Sequence, residues 1–298
     1  MAEDRVAVIG AGAVGCYFGG MLARSGVRVT LIGRFPNMEA IGRDGLFIDG
    51  LRIKERVRID TSTEIHHMRG AKTVLFCVKT VDTAATARAI YPYVSDDCTV
   101  VSMQNGVDNV QRLHAEGVAA IPAVVYVAAA MSAPGHVKHS GRGDLVVPSG
   151  AAGLAPIFEK AEVPCRVSPD IRVELWQKMV MNCAYNAISA LARAKYGSIA
   201  GNPRVRELMR RAIAETIAVA RAEGIELNEE SLCGAAWKLG EAMAEATSST
   251  AQDIQRRKPT EIESLNGYIA RRGAELAIDT PVSETLTALV RLLEERAK

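Results

Sequence analysis

The sequence predicts an α/β domain built on a parallel sheet over residues 1–168, followed by an all-α domain over residues 169–298. Three observations carry this expectation. Short runs rich in Val and Ile alternate with helix-forming segments through the first half, the pattern of a parallel sheet covered by helices. A glycine-rich turn, Gly10-Ala11-Gly12-Ala13-Val14-Gly15, joins the first of these runs to a helical stretch. Beyond Ser168-Pro169-Asp170 there is no convincing alternation of period two, and helical patterning takes over.

Taken in order, residues 5–9, 28–32, 73–78, 99–103 and 119–127 are the strand candidates, and their near-continuous β-branched content suits strands buried on both faces. The longest weakly polar run, 118–131, contains Pro122 and is shorter than the roughly 20 residues of a membrane-spanning helix. It reads as a buried strand. Between the second and third strands, Gly45 to Ile53 reads as a peripheral hairpin turning on Asp49-Gly50. Residues 136–147 suggest a second antiparallel piece, with Ser140-Gly141-Arg142-Gly143-Asp144 as its turn. In the second half, residues 171–196, 204–223, 229–247, 260–277 and 282–297 read as helices. Gly197 to Pro203, Gly224, Pro259 and Pro281 mark their breaks.

Composition narrows the function classes. A chain of 298 residues, 48% hydrophobic and 23% charged, has the length and composition of a folded two-domain protein. Lys and Arg number 36 against 34 Asp and Glu, so a net charge of +2 sets up no global field for nucleic acid or anionic lipid. Neither nucleic acid nor membrane is an expected partner. The six cysteines lack C-x-x-C spacing and mostly lie in apolar runs, where a reduced thiol behaves as a small hydrophobe. Neither they nor His66-His67 have metal-ligand spacing, and no metal site is expected. Met1-Ala2-Glu3-Asp4-Arg5 places two acids where an export signal carries positive charge, so a cytoplasmic location is expected.

The glycine-rich turn has a specific chemistry. In a strand-turn-helix unit of this kind Gly10 makes the tight turn, Gly12 lets backbone approach a pyrophosphate, and Gly15 permits close packing of helix on strand. The amides of Ala13 and Val14 open the helix, whose N-terminus favours phosphate. The expected domain is therefore Rossmann-type. A NAD-preferring site carries Asp or Glu at the end of the second strand, whereas Leu31-Ile32-Gly33-Arg34 ends in a guanidinium, which argues for a 2′-phosphate and NADPH. A plain surface arginine is the alternative. Val78-Lys79-Thr80 and Gln104-Asn105-Gly106 follow the next two strands, where an open sheet binds ligands. Lys79 and Asn105 are therefore further cofactor candidates, with ordinary turn chemistry as the alternative for Asn-Gly.

In the second half, Lys178, Asn182 and Asn186 recur every four residues, drift about 40° per step and form one stripe on a helix. The residues around them are almost all apolar. An ammonium and two amides on a buried helix need polar partners, and a polar ligand would supply them. A solvent-facing stripe or a structural network is the competing explanation. On the functional reading Lys178 is the general acid that protonates a carbonyl oxygen as hydride arrives at its carbon, while Asn182 and Asn186 bind substrate. Further on, Ser249 with Gln252 has capping-box spacing, and Glu261 is an acid just past Pro259.

Together these motifs resemble the ketopantoate reductase family over nearly the whole chain. The resemblance rests on the glycine turn, Val78-Lys79, Gln104-Asn105-Gly106-Val107, Trp176-Gln177-Lys178 with Asn182 and Asn186, and Thr260-Glu261-Ile262-Glu263 with Leu265-Asn266-Gly267. It implies NADPH-dependent reduction of ketopantoate to pantoate in pantothenate and coenzyme A biosynthesis. Lys178 would be the acid with Glu261 beside it, and Asn182, Asn186 and Ser249 would contact the substrate. Arg34, Lys79 and Asn105 would meet the cofactor. Three residues before Ser249 the family pattern carries asparagine, and this chain carries Ala246. That difference keeps a reductase of another bulky 2-keto acid open, and a non-catalytic NADP(H) sensor is the reading from a different class. A homodimer through the C-terminal helices is also expected.

Overall fold

The computed structural model describes residues 5–297; the two acids read against an export signal lie outside the described residues. The chain separates into two compact units, one of residues 1–104 and 108–171, the other of residues 105–107 and 172–298.

In the first unit the strands are β1 (Val6–Ile9), β2 (Val29–Ile32), β3 (Leu46–Asp49), β4 (Lys54–Val57), β5 (Asp60–Ser62), β6 (Thr73–Phe76), β7 (Thr99–Ser102), β8 (Ala120–Pro122), β9 (Val124–Ala133), β10 (His136–Pro148) and β11 (Cys165–Ser168). The helices are α1 (Ala13–Arg24), α2 (Phe35–Asp44), α3 (Thr83–Ile90), α4 (Asn109–Ala115) and α5 (Ala155–Lys160). Six strands form one sheet in the order β5-β2-β1-β6-β7-β8, and every pair in it is parallel. All residues of β1, β2 and β6 are buried, as their apolar runs predict. A second sheet runs β11-β10-β3-β4, with β9 antiparallel to β10.

Helix α1 packs between the sheets, and its core residues Cys16, Phe18, Met21 and Leu22 share one cluster with Val8 and Leu31 of the first sheet and Leu46, Ile48 and Val137 of the second. Two glycines make this possible. A Cβ on Gly19 would lie 2.8 Å from a Leu31 methyl, and one on Gly20 would lie 2.7 Å from a Leu46 methyl.

Three expectations about strands are corrected here. Residues 119–127 are not one strand: β8 ends at Pro122, Ala123 donates its amide to the Ser102 carbonyl at 2.9 Å, and the chain crosses into β9 of the other sheet. Pro122 has no amide to donate, and it closes a strand at the edge of its sheet, where that loss is tolerated. The hairpin at β3 and β4 turns through residues 50–53 rather than on Asp49-Gly50. It is not peripheral, because β3 pairs with β10 and buries Leu46 and Ile48 completely. The turn between β9 and β10 lies at Pro134-Gly135, where proline presets φ and Gly135 takes φ +72°. Residues 140–144 instead form bulges inside β10, with Arg142 at φ +53° and Gly143 at φ +120°.

The second unit contains α6 (Ile171–Ala192, from Arg172), α7 (Tyr196–Gly201), α8 (Pro203–Ala222), α9 (Glu229–Ala242), α10 (Ser249–Gln255), α11 (Asn266–Glu275) and α12 (Pro281–Ala297). No strand occurs in it among the described residues. The Asn202 side chain caps α8 by accepting from the amides of Arg204 and Val205, with Pro203 at the first helical position. Asn228 caps α9 in the same way. The 171–196 helix stops at Ala192, since Arg193 turns to φ +51°, and the break at 197–203 holds the short α7. The 229–247 helix ends at Ala242, and the 260–277 helix begins only at Asn266, after a single 3-10 turn.

Helix α6 is the axis of this unit. Trp176, Met179 and Cys183 enter one apolar cluster, while Val180, Ala184, Tyr185, Ala187 and Ile188 enter another. At 100° per residue these two faces cover roughly 100–340° of the helix circumference, counted from Lys178. The remaining arc carries Lys178, Asn182 and Asn186, together with Ile171, Leu175 and Ser189.

Candidate active site

The first unit carries a glycine cradle at the end of β1. Gly10 adopts φ +98°, and a Cβ there would lie 2.7 Å from the Val78 amide nitrogen. A Cβ on Gly15 would run into the Gly10 carbonyl oxygen, so helix and turn close on each other only with glycine at position 15, while Gly10 is required by the segment after β6 and by its own φ. Gly12 differs: a Cβ would meet nothing within 4 Å. Gly12 is also the N-cap of α1, has no side chain to cap it, and is followed by a first turn free of acids. The opening amides of Ala13, Val14 and Gly15 have no acceptor within the helix. Exposed glycine backbone before uncapped helical amides fits a dinucleotide pyrophosphate, the group that such a turn binds.

Arg34 follows β2 as the N-cap of α2, with its side chain 90% exposed and its Nη2 donating to Asp82 Oδ2 at 3.1 Å. Lys79 is half-buried and precedes a 3-10 turn over Thr80–Asp82. Gln104 is buried, and its Nε2 donates to the Val78 carbonyl at 3.0 Å and to Thr83 Oγ1 at 2.7 Å. Ser102 Oγ donates to Gln104 Oε1, so this amide holds together the segments that follow β6 and β7. Sequence reasoning assigned no role to Gln104 or Asp82.

The second unit carries a polar triad. Lys178 Nζ donates to Asn105 Oδ1 at 2.8 Å, and Asn105 Nδ2 donates to Glu261 Oε2 at 3.0 Å. The partners dictate the orientation of the amide: an ammonium only donates and a carboxylate only accepts, so Asn105 must turn its oxygen to Lys178 and its nitrogen to Glu261. Asn105 comes from the first half of the sequence but groups with the helical unit, where its neighbour Val107 packs against the apolar cluster that contains Trp176, Met179, Leu265 and Ile269. Gly106 between them takes φ +100°.

Asn182 is half-buried and Asn186 is 4% exposed, so the deep end of the α6 stripe is not solvent-facing. Ser249 is exposed at the first position of α10 and does not cap it. The cap is Ser248, whose Oγ accepts from the Ala251 amide at 3.0 Å and donates to the Asn186 carbonyl at 3.0 Å. Gln252 reaches the Thr247 carbonyl, which corrects the capping-box reading. Other reactive side chains on α6 are held neutral. Burial pushes the Cys183 thiol up to about 12, and burial also raises the Tyr185 phenol to about 12 while its hydroxyl donates to the Ala236 carbonyl at 2.7 Å. Among the described residues no group of three His, Cys, Asp or Glu could hold a metal ion.

A parallel sheet bearing this cradle defines a dinucleotide-dependent oxidoreductase, and its helical unit carries a lysine hydrogen-bonded to an amide that a carboxylate holds. Residues 6–152 match the ketopantoate reductase PanE/ApbA family and residues 170–294 match the ketopantoate reductase PanE/ApbA C-terminal family. The chain belongs to the ketopantoate reductase family. It is 32% identical to a 2-dehydropantoate 2-reductase of Halobacterium salinarum, covering 97% of this chain and 99% of that one. A PanE/ApbA family ketopantoate reductase from Ralstonia eutropha JMP134 superposes with a TM-score of 0.93 at 45% identity, covering 98% and 99% of the two chains. A D-mandelate dehydrogenase solved with NADH and anilino(oxo)acetate also superposes with a TM-score of 0.93 over 98% and 99%, but at 22% identity this is a likeness of fold.

Proposed function

We propose that this chain reduces 2-dehydropantoate to pantoate with NADPH. The observation that carries the reading is the Lys178–Asn105–Glu261 triad, in a chain whose full-length relatives are named 2-dehydropantoate 2-reductases. Residues 1–168 serve the cofactor through Gly10, Gly12, Ala13, Val14, Gly15, Arg34 and Lys79. Residues 169–298 serve the substrate through Lys178, Asn182, Asn186, Ser249 and Glu261, with Asn105 supplied by the preceding half.

Bound NADPH supplies the hydride. Lys178 Nζ supplies the proton: it donates to the carbonyl oxygen of the 2-keto acid, which becomes the hydroxyl, and the resulting amine regains a proton from solvent. Asn105 Oδ1 aims the ammonium, and Glu261 stops the amide from flipping. The amides of Asn182 and Asn186 lie on the same face of α6 as Nζ, where they can hold the carboxylate and hydroxyl of the substrate. Because Ala246 stands where the family pattern carries asparagine, a second reading is a reductase of another bulky 2-keto acid.

NADPH oxidation against 2-dehydropantoate, 2-ketoisovalerate, phenylglyoxylate and pyruvate, repeated with NADH, tests both readings. Preference for 2-dehydropantoate with NADPH is expected. Preference for phenylglyoxylate would favour the second reading, and nucleotide binding without any turnover would leave a sensor of NADP(H).

Two further parts of the proposal concern setting and assembly. All six cysteines are unpaired, which suits a cytoplasmic protein, and no helix among the described residues is long and apolar enough to cross a membrane. Helix α12 exposes Leu289 and Leu292 one turn apart, which supports a homodimer through the C-terminal helices; light scattering of the purified protein tests it.

A further inference from the structure

We propose that Asp82 sets the cofactor preference of this chain, by competing with the cofactor's 2′-phosphate for the Arg34 guanidinium. The inference rests on the NADPH reading above and adds a residue to it. Arg34 lies just past the end of β2, and Asp82 lies in the segment that follows β6; in the sheet order only β1 separates those two strands. Their side chains meet at 3.1 Å although the arginine side chain is 90% exposed and the aspartate 42%. An ion pair so open to water contributes little to stability. Asp82 is also the N-cap of α3, yet its carboxylate makes no capping hydrogen bond.

What surrounds the pair is more informative. Phe35 and Val81, the chain neighbours of Arg34 and Asp82, are 64% and 67% exposed, among the few large apolar side chains left uncovered. Exposed apolar side chains next in sequence to a cation and to its acid partner, beyond the carboxyl ends of parallel strands, match an adenine with a functionalised ribose.

The two charges favour different nucleotides. A 2′-phosphate carries about −1.5 to −2 charges near neutral pH. It gains from Arg34 but must take the guanidinium from Asp82 and sit beside a carboxylate of its own sign. A 2′-hydroxyl has no such conflict and can donate to the carboxylate, the role that an acid at the end of the second strand plays in NAD-preferring sites. Asp82 therefore weakens discrimination in favour of NADPH, and this chain accepts NADH as well as NADPH.

The test is the dissociation constant of NADPH and of NADH, measured by calorimetry without substrate, for the wild type, Asp82→Asn and Asp82→Glu. Asp82→Asn should tighten NADPH about five- to tenfold, the effect of one like charge at short range in a solvated site, and leave NADH unchanged or weaker. Asp82→Glu, which keeps the charge, should hold the wild-type ratio. Equal shifts for both nucleotides, or no shift with Asp82→Asn, overturn the inference while leaving the NADPH reading in place. Failure of the wild type to bind either nucleotide removes that reading and this inference together. Because Asp82 makes no cap, melting temperatures of the variants should match the wild type, which separates a change in affinity from a change in fold.

Discussion

Replacing Asn105 by alanine removes two hydrogen bonds at once, the 2.8 Å bond from Lys178 and the 3.0 Å bond to Glu261. A lost hydrogen bond to a charged group costs about 1.5–3 kcal/mol. Lys178, Asn105 and Glu261 are all half-buried, so water replaces part of what is lost, and the lower end, about 1.5–2 kcal/mol, is the appropriate figure for the misdirected ammonium. At 1.36 kcal/mol per tenfold this is a fall of about 12- to 30-fold in the rate constant of the reduction step. Lys178→Ala, which removes the proposed proton donor itself, should cost about 10²–10⁴-fold. The informative variant is the double one. If Asn105 acts by aiming Lys178, its loss has nothing left to disturb once the lysine is gone, and the double variant should match Lys178→Ala within about twofold. The assay is single-turnover NADPH oxidation at saturating cofactor and 2-keto acid, with NADPH affinity measured separately. A further tenfold loss in the double variant would sink the positioning argument and return Asn105 to the cofactor role suggested by its place after a sheet strand.

Other outcomes follow from geometry already described. Gly12→Ala should leave the melting temperature unchanged but weaken NADPH more than about tenfold, because its Cβ projects into open space where a pyrophosphate belongs; intact binding would refute the cradle. Gly15→Ala should instead destabilise the fold by about 1–3 kcal/mol, as overpacking against the Gly10 carbonyl requires, and calorimetric melting reads it directly. Ala277 follows α11 at φ +55°, a conformation that costs an alanine about 1–2 kcal/mol, and glycine loses about 0.5–1 kcal/mol more backbone entropy on folding. Ala277→Gly should therefore stabilise by about 0.5–1 kcal/mol, and a lower urea midpoint would contradict it. Burial pushes the thiols of Cys16 and Cys183 up to about 12, so at pH 8 about one in 10⁴ is thiolate. In the native protein both should react with an aromatic disulfide far more slowly than after unfolding in denaturant, and rapid native labelling of either would refute their burial.

Much of this molecule is legible in the order of its residues, and the parts that are not share a cause. The β1–α1 turn can be read because its glycines are needed locally: Gly10 by its own dihedral angle, Gly15 by contact with a residue five positions earlier. The stripe of Lys178, Asn182 and Asn186 can be read because helical periodicity alone puts the three together. Residues 119–127 mislead, because an apolar run carries no sign of which sheet will take it, and Pro122 is equally at home ending a strand or interrupting one. Ser140 to Asp144 mislead because glycine at positive φ serves a bulge as well as a turn. Ser249 misleads because it alone has a Gln three residues on, whereas the buried Ser248 makes the cap with no such spacing to announce it. Asp82 meets Arg34 across 48 positions, and no local pattern records such a meeting.

The grouping of residues 105–107 with the helices has a consequence for how such a protein can be divided or recombined. A fragment that begins at residue 169 keeps Lys178 and Glu261 but leaves behind both the amide that joins them and Val107, which fills part of the apolar cluster beside Trp176. Exchanging the N-terminal half for another dinucleotide-binding domain would likewise replace Asn105, the partner of Lys178 and Glu261, together with the glycine cradle. The glycine cradle and the amide partner of Lys178 are therefore inherited as one block. A chimaera joined at the end of the sheet domain would regain turnover only if its donor brought an Asn-Gly-Val of its own.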